Sequence, residues 1–175
     1  MSPSPRASAL LLPLLLLAPA FAMAKSADRN QPVAIEAGAQ DGSFDDNGKT
    51  VMTQGVTVNQ GSLQIVANAG EMTMKNGDPS YAVFTGSPVK LKQQLDDGTW
   101  MDAVADRMEY DINGEIITFI GNYTVKSPKG SQSGQRMVYN TKTSAIKAGG
   151  DGTRVRTVIM PKSARGGAAT PQEKK

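Results

Sequence analysis

The sequence contains neither histidine nor cysteine. That removes the commonest general base, the thiol nucleophile and the usual zinc ligands together, so catalysis is not expected and no cofactor is implied. Disulfides are excluded too, and stability must come from backbone hydrogen bonding and apolar burial. Adjacent acids remain at Asp45-Asp46 and Asp96-Asp97. Each pair lies beside a turn glycine, where a solvated turn is the ordinary role and a glycosidase dyad is not. The stretch Asp45-Asp46-Asn47-Gly48 also lacks the bidentate Glu and the loop length of an EF-hand.

Aromatic residues are scarce, at 5% of the chain with Trp100 as the single tryptophan. A single-strand nucleic-acid surface would need stacking rings on a basic stripe, and a polysaccharide site would need aromatic platforms. The charge balance gives no such stripe. Removing +1 for Arg6 and +3 for the tail (Lys162, Arg165, Lys174 and Lys175 against Glu173) from the formal +3 leaves residues 25–160 at −1. Nucleic acid is set aside on that ground.

Long apolar runs are confined to the beginning. Arg6, the run 9–17 and the small residues 18–24 form a secretory leader with expected cleavage after Ala24, and Ala22 as the second choice. Pro13 and Pro19 interrupt the run, which is short for a membrane span. No cysteine follows that could carry a lipoprotein anchor. The expected organisation is a cleaved signal peptide over 1–24, one domain over 25–160, and a disordered basic tail over 161–175, rich in Gly, Ala, Lys and Pro.

What the middle of the chain does have is alternation. Val33, Ile35 and Ala37 alternate with Ala34 and Glu36, Leu63 and Ile65 flank Gln64, Met72 and Met74 flank Thr73, and Met108 and Tyr110 flank Glu109. Period two with almost no helical repeat predicts strands throughout. Turn signals recur at Asp46-Asn47-Gly48, Gln60-Gly61, Asn76-Gly77, Asp97-Gly98, Asn113-Gly114 and Lys129-Gly130, which predicts a run of antiparallel hairpins. A weak repeat overlays residues 69–74, 105–110 and 134–139, with Met72, Met108 and Met137 spaced by 36 and 29, while Gly55, Gly86 and Gly121 recur at 31 and 35. The expectation is stacked β units with a shared interior, which by itself could be an ordinary sandwich core.

Four segments carry a more specific signal: Gln31-Pro32-Val33-Ala34-Ile35-Glu36-Ala37, Ala105-Asp106-Arg107-Met108-Glu109-Tyr110, Phe119-Ile120-Gly121-Asn122-Tyr123-Thr124-Val125 and Arg154-Val155-Arg156-Thr157-Val158-Ile159-Met160-Pro161. In order and spacing they resemble the OstA-like family of lipopolysaccharide transport proteins. Gly55 and Gly86 depart from the phase of Gly121, a shift that a bulge would absorb.

The resemblance implies a slightly twisted, open β-jellyroll in the periplasm whose interior receives the acyl chains of lipopolysaccharide. It further implies head-to-tail self-assembly between an LptC-like inner-membrane protein and an LptD-like outer-membrane protein. Carried over by position, Val33, Ile35, Leu91, Tyr110 and Ile112 match lipid-path sites of the family. Phe84, Phe119 and Met72 point inward by alternation and serve either the path or plain packing. Val33, Ala34, Ile35 and Glu36 at one edge, and Val155, Arg156, Thr157 and Val158 at the other, are the expected intermolecular strands. The alternatives are an LptC-like chain that keeps its N-terminal anchor, a periplasmic β-sandwich that binds polysaccharide, or a ligand-free solenoid.

Overall fold

The computed structural model describes Asp28 and residues 31–164. The leader 1–24 and tail residues 165–175 lie outside the described residues. Ten strands follow one another: β1 Ala34–Gly42, β2 Lys49–Gln60, β3 Leu63–Ala67, β4 Ala69–Lys75, β5 Asp78–Gln94, β6 Trp100–Asp111, β7 Ile116–Ser127, β8 Gly130–Asn140, β9 Ile146–Ala148 and β10 Arg156–Ile159. A single 3-10 turn, Lys162–Ala164, follows. The all-β, hairpin-by-hairpin reading holds: the sheet runs β1-β2-β3-β5-β6-β7-β8-β10 with antiparallel neighbours, β4 filling in between β2 and β5, and β9 pairing with β8.

The expected turns fall where the dipeptides place them, with Asn76, Gly77, Gly61 and Gly98 all at positive φ. Such turns match the twist of the strands they join.

What alternation does not reveal is that every long strand bends near its middle. Register shifts occur between Ala37 and Ala39, Thr85 and Val89, Val104 and Arg107, and Ile120 and Tyr123. In β2 the bend is the positive-φ pair Gln54-Gly55; in β7 it is Gly121-Asn122. β3 and β4 are one strand broken at Asn68, whose carbonyl accepts from the Gly55 N–H while its own N–H donates to the Thr85 carbonyl. A bulge adds twist and turns the strand. Because the bends stand at one level across the sheet, they fold it into two half-sheets.

The first half-sheet holds 34–37, 56–60, β3, 89–94, 100–105, 123–127, 130–134 and β10. The second holds 39–42, 49–53, β4, 78–85, 107–111, 116–120, 136–140 and β9.

Polar side chains fasten the bend. The Asn122 Nδ2 donates to Asp106 Oδ2 at 2.8 Å, and Gln135 Nε2 donates to Asn122 Oδ1 at 3.1 Å. Gly121 has φ +75, and a Cβ there would stand 2.5 Å from Asp106 Oδ2. Gly121→Val is therefore expected to lower stability by about 1–3 kcal/mol in urea unfolding. An unchanged midpoint would remove the bend's conformational requirement.

The interior of the second half-sheet contains a cross-strand row: Met52, Gly70, Phe84, Met108, Phe119 and Met137 are successive partners on β2, β4, β5, β6, β7 and β8. Its side chains are buried to 1% exposure or less. Met72, Met108 and Met137, overlaid by the sequence repeat, thus all lie in the same half-sheet. Gly70 belongs because a Cβ would come within 3.1 Å of the Phe84 ring. Leu91, Ala103 and Val125 continue the core on the first half-sheet.

The last edge is shorter than expected. β10 pairs Arg156–Ile159 with Gly130–Ser133, while Val155 stays in the connection from β9. That connection passes the bend level with Gly149, Gly150 and Gly152 at positive φ, so extended pairing resumes only at Arg156.

Candidate functional site

Bending every strand at one level closes the folded sheet along that line and leaves its other side bounded by turns. Turns 61–62, 95–99 and 128–129 cap the first half-sheet; turns 43–48, 76–77, 112–115 and 141–145 cap the second. Between these two lips the interior is not filled.

One cavity of about 150 Å³ is lined by Val33, Val58, Leu63 and Ile65 from one side and by Met72, Pro79, Ala82, Phe84, Tyr110 and Ile112 from the other, with Gln60 at its margin. Both half-sheets thus contribute to one apolar wall. A second cavity of about 410 Å³ lies farther along the sheet, between Leu95, Met101 and Val125 on one side and Tyr139 and Ile146 on the other. Asp96, Asp97, Ser127, Lys129 and Ser144 border it.

The sequence-derived residues separate into groups. Val33, Met72, Phe84, Tyr110 and Ile112 line the first cavity. Ile35 is half-buried beside it, paired with Val58 and packed on the core. Leu91 and Phe119, at 2% and 0% exposure, are closely packed interior. Ala34 and Glu36 are exposed on β1, which has β2 as its strand neighbour on one side and, among the described residues, no strand on the other. Arg156, Thr157 and Val158 are exposed on β10, with Val155 half-buried just before it.

Sequence reasoning did not assign Val58, Leu63, Ile65, Pro79 or Ala82 to the lipid path, and it did not foresee the second cavity. Alternation gives Val58, Leu63 and Ala82 inward positions, but not the fact that nothing fills the space before them.

Polar groups at the second mouth are paired. Lys129 Nζ lies 2.6 Å from Asp97 Oδ2, and the Thr99 backbone N–H donates to Asp97 Oδ1 at 3.1 Å. The hydrogen bond from Lys129, then those from Thr99, hold the Asp97 carboxyl down from 3.8 to about 2. The folded carboxyl thus ionises below its unfolded value: its contribution is present above pH 3.8 and is lost as pH falls through about 2. Exposure of both side chains screens this to less than about 1 kcal/mol. Lys129→Ala is expected to move the Asp97 carboxyl back toward 3.8, read by NMR titration of its carboxyl carbon. An unmoved titration would discount the ion pair.

Among the described residues no cluster of His, Cys, Asp or Glu is arranged to hold a metal ion.

Known proteins fit this arrangement. The family model described as LptA/(LptD N-terminal domain) LPS transport protein matches residues 34–145. The Lipopolysaccharide export system protein LptA of Haemophilus influenzae is 34% identical over 158 residues, covering 87% of this chain and 90% of that protein. The protein of the same name from Escherichia coli strain K12 is 31% identical over 147 residues, covering 82% and 77%. In fold, the chain is similar to the crystal structure of LptH, the LptA homologous periplasmic component of the conserved lipopolysaccharide transport device from Pseudomonas aeruginosa. That likeness has a TM-score of 0.69 at 22% identity, over 77% of this chain and 99% of that one. With the family model spanning most of the sheet and relatives above 30% identity along most of the chain, this protein belongs to the LptA/(LptD N-terminal domain) family of LPS transport proteins.

Proposed function

We propose that the protein is a periplasmic lipopolysaccharide-binding bridge that carries its ligand by apolar contact and performs no catalysis. The observation that carries this reading is the apolar cavity between two half-sheets, walled by Val33, Met72, Phe84, Tyr110 and Ile112. Burial is worth about 0.8 kcal/mol per methylene, so one twelve-carbon chain in water costs on the order of 10 kcal/mol. A lipid of that kind needs a continuous apolar route. Leu91 and Phe119 form the floor beneath the guest chain, and Ile35 its entrance. The leader directs export to the periplasm and is released after Ala24.

Open strand edges supply the continuity. β1 at one end, and β9 with β10 at the other, expose main-chain groups that a neighbouring molecule can pair. The two ends also differ in charge. Glu36, Asp41, Asp45 and Asp46 stand at the first with no Lys or Arg over residues 31–48, whereas Lys142, Lys147, Arg154, Arg156 and Lys162 surround the last with Asp151. Opposite signs favour head-to-tail contact and oppose head-to-head contact, the pattern that builds filaments. An LptC-like protein and an LptD-like protein would meet the terminal copies through the same edges. Raising salt from 0.05 to 0.5 M is expected to weaken self-association in sedimentation, and the pair Arg154→Glu and Arg156→Glu to weaken it about tenfold at low salt. Insensitivity to both would remove charge from the assembly.

A photo-crosslinking residue at Tyr110 or Ile112 is expected to capture lipopolysaccharide in cells, while one at the outward Val66 does not. Equal capture at all three, or none, would contradict the groove.

A further inference from the structure

Two buried inward strand positions are polar: the Thr50 hydroxyl on β2 donates to the Ser43 carbonyl, and Gln93 stands on β5. On β5 the buried alternation Val89, Leu91, Gln93 places a carboxamide on the groove side, and Gln93 is 6% exposed. Its Oε1 is buried and has no hydrogen-bond partner among the described residues.

The position has a particular place in the groove. Gln93 pairs with Met101, which lines the second cavity. One step past the Gln64–Lys92 pair it stands beside Leu63, which lines the first. The neighbouring Gln94 N–H donates to the Ser62 hydroxyl, which fixes that register. Its ladder neighbours on the two sides thus line one cavity each, and the unpartnered oxygen is buried between them. A buried acceptor left without a donor is unfavourable in a ligand-free protein, and a guest that brings a donor relieves it.

We propose that Gln93 is a hydrogen-bonding subsite of the groove, selecting aliphatic chains that carry a hydroxyl or amide N–H over plain hydrocarbon. The idea rests on the lipid-carrier reading and adds to it a chemical preference. Apolar walls on both sides hold the chain by burial alone and give no preference for substituents. A single acceptor between them is satisfied by a donor at one depth along the chain. Because the acceptor is unpaired before binding, a plain guest leaves that cost unchanged, while a guest with a donor at the right depth removes it.

The test uses tetradecanoic acid and a series of monohydroxytetradecanoic acids with the hydroxyl moved along the chain. Their binding to the full protein is measured by displacement of a fluorescent fatty acid, for the native chain and for Gln93→Leu. At one hydroxyl position the native protein is expected to bind roughly five- to tenfold tighter than to the plain acid. Gln93→Leu should lose that gain, bind the plain acid at least as tightly, and unfold at a higher temperature when ligand-free. If the acids bind but no position is preferred, or if the preference persists in Gln93→Leu, the subsite is wrong and the carrier reading stands. If neither acid binds the native protein, the carrier reading fails and the subsite fails with it. A lower unfolding temperature for Gln93→Leu would overturn the proposal by giving the amide a structural role.

Discussion

Phe119→Ala is expected to remove about 3–5 kcal/mol of folding free energy, the usual cost of emptying an aromatic site in a packed core. Phe119 has no exposed surface and stands between Met108 and Met137 in the cross-strand row. Removing its ring leaves a gap that neighbours on β6 and β8 cannot close, because their backbones are held by ladder hydrogen bonds on both sides. At a few degrees per kcal/mol for a domain of this size, the melting temperature should drop by roughly 10–20 °C. A loss under about 1 kcal/mol would mean that the row is not closely packed.

The opposite substitution separates binding from folding. Ala82 is 1% exposed, yet it belongs to the wall of the first cavity, between Met72 and Tyr110 in the strand register. A phenylalanine there projects into existing space. Ala82→Phe should leave the melting temperature unchanged or raised, since it adds apolar burial. It should also exclude several methylenes of the guest: four of them, at about 0.8 kcal/mol each, correspond to an affinity loss of at least about a hundredfold. A protein that melts earlier but binds lipopolysaccharide normally would place the lipid elsewhere.

How much of this was legible in the sequence depends on range. The turns were, because Asn76-Gly77 and Asp97-Gly98 state a backbone requirement in two adjacent residues. Strand facing was too, since Met72, Met108 and Phe84 sit at alternating positions whose buried side the structure preserves. The bend was only half visible. Gly55 and Gly121 mark it, but their one-residue offset makes sense only with the partners beside them: Gln54 precedes the glycine in one strand and Asn122 follows it in the other, both at positive φ. Period two continues on either side of a bulge, so alternation cannot report the fold in the sheet.

The site was legible only as a direction. Leu91 matches the lipid path by position and Phe84 points inward by alternation alone, yet of the two only Phe84 borders the first cavity. The difference lies in the separation of the half-sheets near their lips, a property of three-dimensional packing that no local pattern encodes. Gln93 did leave a trace: the spacing Leu91, Gln93, Leu95 puts an amide where alternation asks for an apolar group. Polar residues at inward positions are worth attention in any strand whose partners are greasy.

The central claim is that guest hydrocarbon enters the space between the half-sheets, and one fluorescence measurement reaches it directly. Trp100 is exposed, with the Lys92 ammonium 5.0 Å from its ring, so Trp100→Phe should silence the native signal without disturbing the interior. In that background, Ile112→Trp puts a reporter in the cavity wall and Val66→Trp puts one on the outer face. Lipopolysaccharide with brominated acyl chains should quench the reporter at 112 and spare the one at 66; equal quenching at both, or none at 112, would contradict the account.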